Sequence, residues 1–231
     1  MERRDFLKTS GSAVAVGLAA QAGIAHAANA VAEAKGIRII GICGSPRKGK
    51  TTSAALRVAL ESAQSISPGV EVELVELSDY RIEFAGTPAA AQGQDDFPKL
   101  AAKLLAPNVA GIVIGTPVYM GLMSGMCKNF LDRLAMMRMK DFALAGKVFG
   151  AVAVGGVRNG GQDATVQALN NIMLCQDMIV VGDGKPTAHW GVTLLNDGKD
   201  DISTDTFGLT TAKGVGRRVA EVALRQFAAA R

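Results

Sequence analysis

The chain has 231 residues, 48% of them hydrophobic and 20% charged, with a formal net charge of +4. That balance excludes a disordered polyelectrolyte, and the length suits one domain with a full core. The cations are scattered rather than striped with aromatics, which sets nucleic-acid binding aside. Two histidines and three cysteines, with no C-x-x-C pair, exclude a multi-histidine zinc site and a disulfide framework.

The first segment, residues 1–30, reads as an address. Arg3-Arg4-Asp5-Phe6-Leu7-Lys8 resembles a twin-arginine export signal. An uncharged stretch rich in Ala, Gly and Val follows, then Ala25-His26-Ala27 and Ala28-Asn29-Ala30, either of which fits an A-x-A cleavage site. The expectation is a protein exported already folded, and therefore periplasmic. The domain proper is expected over residues 35–231.

Ile37 to Cys43 is an apolar, β-rich run that breaks at Gly44, a buried parallel strand. A helix follows from about Thr52 to Ile66, then a second strand from Val70 to Leu77. Residues 78–96 form a long connection. A helix covers Phe97 to Leu105, with Asp95 and Asp96 placed to cap it. Ala110 to Gly115 is the third strand and Ser124 to Met136 a helix. Lys147 to Val154 is the fourth strand, Gly161 to Cys175 a helix and Met178 to Val181 the fifth strand. A loop of about 25 residues and a last helix from Gly208 to Ala229 close the chain. Strands that alternate with helices imply an α/β sandwich around a central parallel sheet. Ligands of such sheets bind outside the carboxyl ends of the strands, so the loops after the first, third and fourth strands carry the function.

The first loop, Gly44-Ser-Pro-Arg47-Lys-Gly49-Lys50-Thr51, satisfies G-x-x-x-x-G-K-S/T letter by letter. Its chemistry is that of an anion cradle. Ser45, Thr51, Thr52 and Ser53 bring hydroxyls, Arg47 a forked cation, and the next helix its N-terminal N–H groups. A solvated turn with a capped helix is the plain alternative. A nucleoside triphosphatase also needs a carboxylate for Mg²⁺ at a neighbouring strand end. The third and fourth strands end without one, only Glu76 and Asp79 are near the second, and Pro46 removes a backbone donor. A triphosphate site is thus the remotest reading.

Several motifs then occur in order: Gly44-Ser-Pro-Arg47 with Thr51-Thr52, Thr116-Pro-Val-Tyr-Met-Gly121-Leu-Met-Ser124-Gly, Phe130-Leu-Asp-Arg133, Gly155-Gly-Val-Arg-Asn-Gly160-Gly161-Gln162, and Gly208 to Arg218. From about Lys35 to its C-terminus the chain resembles the flavodoxin-like NAD(P)H-dependent FMN reductases, nearest their iron–sulfur flavoprotein branch. The resemblance implies a flavodoxin-like, doubly wound three-layer sandwich with a five-stranded parallel sheet and non-covalent FMN. By position, Ser45, Arg47, Thr51 and Thr52 would bind the phosphate. Pro117, Val118, Tyr119, Met120 and Gly121 would line the ribityl chain and one ring edge. Gly156, Asn159, Gly160 and Gly161 would approach the ring from another side. No side chain is needed as a catalytic group, because the chemistry rests on the flavin.

The iron–sulfur branch carries a compact cysteine set after the second strand. Residues 80–96 hold none here, so no cluster and no metal is expected in that loop. Cys43, Cys127 and Cys175 read instead as small buried hydrophobes, and Met136-Met137-Arg138-Met139 as adaptable core packing. The resulting expectation is an FMN-dependent oxidoreductase that reduces a small acceptor such as a quinone or a flavin. Its donor is NAD(P)H or a redox protein, and it works as a homo-oligomer. An electron-carrier flavoprotein is the alternative. Residues 182–207, with His189 and Trp190, are placed to cap a substrate pocket.

Overall fold

In the computed structural model, residues 36–229 are described. The expected export segment, residues 1–30, lies outside them. Chain order is β1 (Ile37–Cys43), α1 (Thr51–Gln64), β2 (Val70–Glu76), a 3-10 turn (Leu77–Asp79), α2 (Pro88–Ala91) and α3 (Phe97–Leu104). Then come β3 (Val109–Tyr119), β4 (Leu122–Met123), α4 (Gly125–Arg133), α5 (Ala135–Met139) and β5 (Val148–Gly155). The chain closes with α6 (Gln162–Leu174), β6 (Ile179–Val180), β7 (Val192–Leu195) and α7 (Thr206–Ala229).

The sheet runs β2-β1-β3-β5-β6, and β7 also pairs with β5. Every pair on this path is parallel, which gives the flavodoxin-like order. The fifth sheet position is shared. β6 pairs with Val148 and Phe149, and β7 with Val152 to Gly155 further along the same strand. The expected fifth strand is thus only the first half. The second half sits inside the stretch expected as a 25-residue loop.

Alternation along the strands sends successive residues to opposite faces. Ile39, Val113 and Val152 pack under α1 and α7 with Leu56, Leu60, Val215 and Val219. Ile40, Ile42, Ile112 and Phe149 pack under α3, α4 and α6 with Phe97, Leu100, Phe130 and Leu169. This yields the three expected layers. α1 and α7 touch closely where a Cβ on Gly216 would overlap the Ala59 backbone, so glycine permits the crossing.

Four local expectations need correction. The helix expected over 124–136 breaks at Leu134 into α4 and α5. Of the stretch Met136-Met137-Arg138-Met139, expected as core packing, only Met137 is core, while Met136 and Met139 are exposed. Cys175 is exposed at the end of α6, whereas Cys43 and Cys127 are fully buried. Asp96 at the start of α3 makes no capping bond; Asp95 does, accepting from Phe97 N at 3.2 Å. Asp95 also forms a buried ion pair with Arg133, and Arg133 lies 4.5 Å over the Phe97 ring. This pair, rather than cysteines, organises the connection after β2. Burial alone would raise the Asp95 pKa. The Arg133 guanidinium and the N–H groups of Glu83 and Phe97 outweigh it and hold the carboxyl below its ordinary range.

Candidate active site at the switch between β1 and β3

After β1 the chain goes out through α1 to β2 on one side, then returns to β3 on the other. The crevice between these two departures is where such folds seat ligands. Three loops meet there, and each is built for it.

The first loop, residues 44–50, hands over to α1. Ser45, Thr51 and Thr52 are buried at its base, and Arg47 lies on the exposed rim. Ser45 Oγ accepts from Arg47 N–H at 3.1 Å, which folds the turn tightly. From below, the buried Glu76 carboxylate accepts from Gly49 N–H at 3.3 Å and Ser53 Oγ–H at 2.6 Å. The helix itself begins at Lys50 with no side-chain cap and no acidic residue in its first turn. Among the described residues, the Thr51 and Thr52 hydroxyls have no hydrogen-bond partner. A helix start without a side-chain cap leaves first-turn N–H groups facing the end of the sheet, the arrangement an anion would need.

The second loop is shorter than expected. β3 continues through Pro117, Val118 and Tyr119, so these residues belong to a strand end. Sheet pairing stops at Pro117, which has no N–H to offer a ladder. The strand then turns back through Met120 and Gly121 into β4. Both turn residues have positive φ, 50° and 82°, as a two-residue hairpin of this hand requires. Met120 is fully exposed at the tip and Tyr119 is 45% exposed. Ser124 locks the hairpin down. Its Oγ–H donates to the Gly44 carbonyl at the end of β1, and it caps α4 by accepting from Cys127 N–H at 3.0 Å.

The third loop, residues 156–161, ends at Gly161, the residue before α6, with φ 110°. Val157, Arg158 and Asn159 face solvent, Asn159 with φ 60°. Gln162 supports the loop from beneath, its Nε2 donating to the Val157 carbonyl at 2.8 Å. Its Oε1 is buried without a partner. Gly161 rests on Gly121, so the second and third loops touch backbone to backbone. The structure therefore gathers Ser45, Arg47, Thr51, Thr52, Pro117–Gly121, Gly156 and Asn159–Gly161 at one end of the sheet.

Two carboxylates of the segment after β7 were not legible as site residues. Asp200 pairs with Arg47 at 2.7 Å and Lys50 at 3.3 Å. Asp205 pairs with Arg158 at 2.9 Å while it accepts from Leu195 N–H at 2.7 Å and Gly208 N–H at 3.1 Å. Asp205 had a local signal, an acidic residue just before a helix. Asp200 had none. Lys50, the letter that completes the nucleotide-loop pattern, is thus paired with Asp200. His189 and Trp190, expected over a pocket, lie between β6 and β7; His189 packs edge-on against Phe207 at 5.3 Å.

An anion turn at the switch point, an open face beside it and glycine-permitted backbone approach fit a phosphate-bearing flat ring. On a doubly wound sheet, such loops suit a flavin mononucleotide. Comparison with known proteins gives the particular family. Residues 37–191 match the NADPH-dependent FMN reductases, and the chain belongs to that family. An iron–sulfur flavoprotein of Methanocaldococcus jannaschii is 38% identical over 192 residues, covering 80% of this chain and 97% of that one. An NAD(P)H dehydrogenase (quinone) of Acidithiobacillus ferrooxidans is 28% identical over 182 residues, covering 72% and 88%. Among solved structures, a WrbA-like flavodoxin of Agrobacterium tumefaciens superposes with a TM-score of 0.57 at 24% identity, covering 81% and 97%. The protein is an FMN-dependent oxidoreductase.

Proposed function

We propose that Ser45, Arg47, Thr51 and Thr52 hold the FMN phosphate at the start of α1. Pro117, Val118, Tyr119, Met120 and Gly121 carry the ribityl chain and one ring edge. Gly156, Asn159, Gly160 and Gly161 offer backbone to the other side. The observation that carries this reading is the uncapped α1 N-terminus, with its free hydroxyls, next to the Gly121–Gly161 contact. When bound, FMN supplies the redox chemistry; the chain's own groups bind, orient and expose it. The tip of the hairpin and the loop after β5 are both exposed, which suits access by a small acceptor. A quinone or a flavin is the acceptor class we favour, supported by the likeness to a quinone-reducing enzyme, with NAD(P)H or a redox protein as donor.

The twin-arginine pattern supports export of the folded holoprotein to the periplasm. The exposed apolar residues Leu122, Met136 and Met139, which lie outside the cofactor loops, support assembly of identical subunits. The test is a visible spectrum of protein from a periplasmic extract, followed by anaerobic addition of NADH or NADPH and then of a quinone. Flavin absorbance that bleaches and returns is the expected result. A colourless protein that FMN cannot reconstitute overturns the site, and a yellow protein that neither nucleotide bleaches overturns NAD(P)H as donor.

A further inference from the structure

We infer that Asp200 competes with the FMN phosphate for Arg47 and Lys50, and so sets how tightly the cofactor is held. The inference rests on the phosphate placement proposed above.

Asp200 reaches the first loop from the far end of the chain. Its segment orders itself without help from that loop. Asp197 Oδ1 accepts from Lys199 N–H at 2.8 Å and Asp201 N–H at 3.3 Å, and Asp197 N–H donates to the Asp201 carbonyl at 3.1 Å. Asp201 is taken up by Ser203, accepting from its N–H at 2.8 Å. Asp200, with φ 62°, faces the first loop, where it meets Arg47 and Lys50. The segment therefore presents a carboxylate on a formed turn.

A carboxylate and a phosphate ask the same thing of a guanidinium, a pair of N–H donors from its fork. Asp200 already takes one Arg47 nitrogen and the Lys50 ammonium. The third cation of the loop, Lys48, is taken by Asp79 at 2.7 Å. Arg47, Lys50 and Lys48 are thus each paired with a carboxylate and Glu76 lies beneath the same loop, so a phosphate dianion meets a nearly neutral rim. Arg47 and then Lys50 hold the Asp200 carboxyl below its ordinary range, so it is charged at neutral pH. FMN binding must displace this carboxylate or bind against its charge, and both cost affinity.

The opposite role, a brace that presents Arg47 to the phosphate, makes the opposite prediction. FMN is titrated into apoprotein and followed by quenching of its fluorescence. Asp200→Asn should bind FMN about two- to fivefold more tightly at low salt, and the gain should shrink as salt rises. Asp200→Gly, which suits the positive φ, is the second variant should the asparagine disturb the turn. Asp201→Asn, which removes a neighbouring carboxylate that pairs with Ser203 and not with Arg47 or Lys50, should leave FMN affinity unchanged. In an Arg47→Ala background the gain from Asp200→Asn should shrink. Equal or weaker binding by both Asp200 variants overturns the inference while the phosphate site stands. If Arg47→Ala alone leaves FMN binding unchanged, the placement fails and the inference with it.

Discussion

Gly161 and Gly121 meet backbone to backbone, and a Cβ on Gly161 would lie 2.5 Å from the Gly121 carbonyl oxygen. Gly161 also holds φ 110°, a conformation that side chains disfavour. Gly161→Ala should therefore cost about 1–3 kcal/mol and push the β3–β4 hairpin off the loop after β5. Thermal unfolding and FMN retention on a desalting column check both effects. Gly125→Ala is the control. Its Cβ meets nothing within 4 Å at the start of α4, so stability should hold or rise slightly.

Arg47→Ala should weaken FMN binding by about 1.5–3 kcal/mol, the worth of a charge-assisted hydrogen bond. Thermal stability should barely move, because the Arg47–Asp200 pair is half exposed. Retained fold with lost colour is the expected pattern, read by circular dichroism beside the visible spectrum.

Arg133→Met should destabilise the protein by about 3–5 kcal/mol, because Asp95 is left charged in the interior. The pH dependence follows from the direction of the Asp95 shift. A carboxyl held below its ordinary range contributes fully above its unfolded pKa, near about 3.9. That contribution drains away as pH falls through the lower folded value. Melting temperature measured downward from pH 5 should fall more steeply in wild type than in Asp95→Asn.

A thiol reagent offers a third view of the interior. Burial pushes the Cys43 and Cys127 thiols up to about 12, so neither forms the reactive thiolate at neutral pH. Cys175 is exposed. Native protein should titrate one thiol, and denatured protein three. Cys175→Ser should abolish the native signal, with mass spectrometry to locate the label.

Strands β1, β3 and β5 were legible because each is a nearly unbroken apolar run that only a doubly covered sheet can bury. β7 was not. Its four residues, Val192 to Leu195, carry too little pattern to stand out in a glycine-rich stretch. The loops at the switch point were legible by composition, since hydroxyls, a forked cation and glycines gather in short windows. Asp200 escaped because its partners are set by how α7 returns beside α1, not by anything near it in sequence. Cys175 misled because a cysteine at a helix end gives no sign of which way that end faces. Arg133 was visible only as part of a motif, and its buried partner Asp95 looked like a helix cap.

The divided fifth strand also bears on how the protein behaves at high concentration. Unpaired strand edges recruit other chains, and proteins blunt them with short or charged strands. On one side this sheet ends in two fragments of two and four residues, separated by residues 181–191. On the other it ends in β2, where Glu71 and Glu73 alternate along the strand and pair with Arg38. Neither border gives a stranger a long, neutral, hydrogen-bonding template, so the sheet resists growing sideways into aggregates.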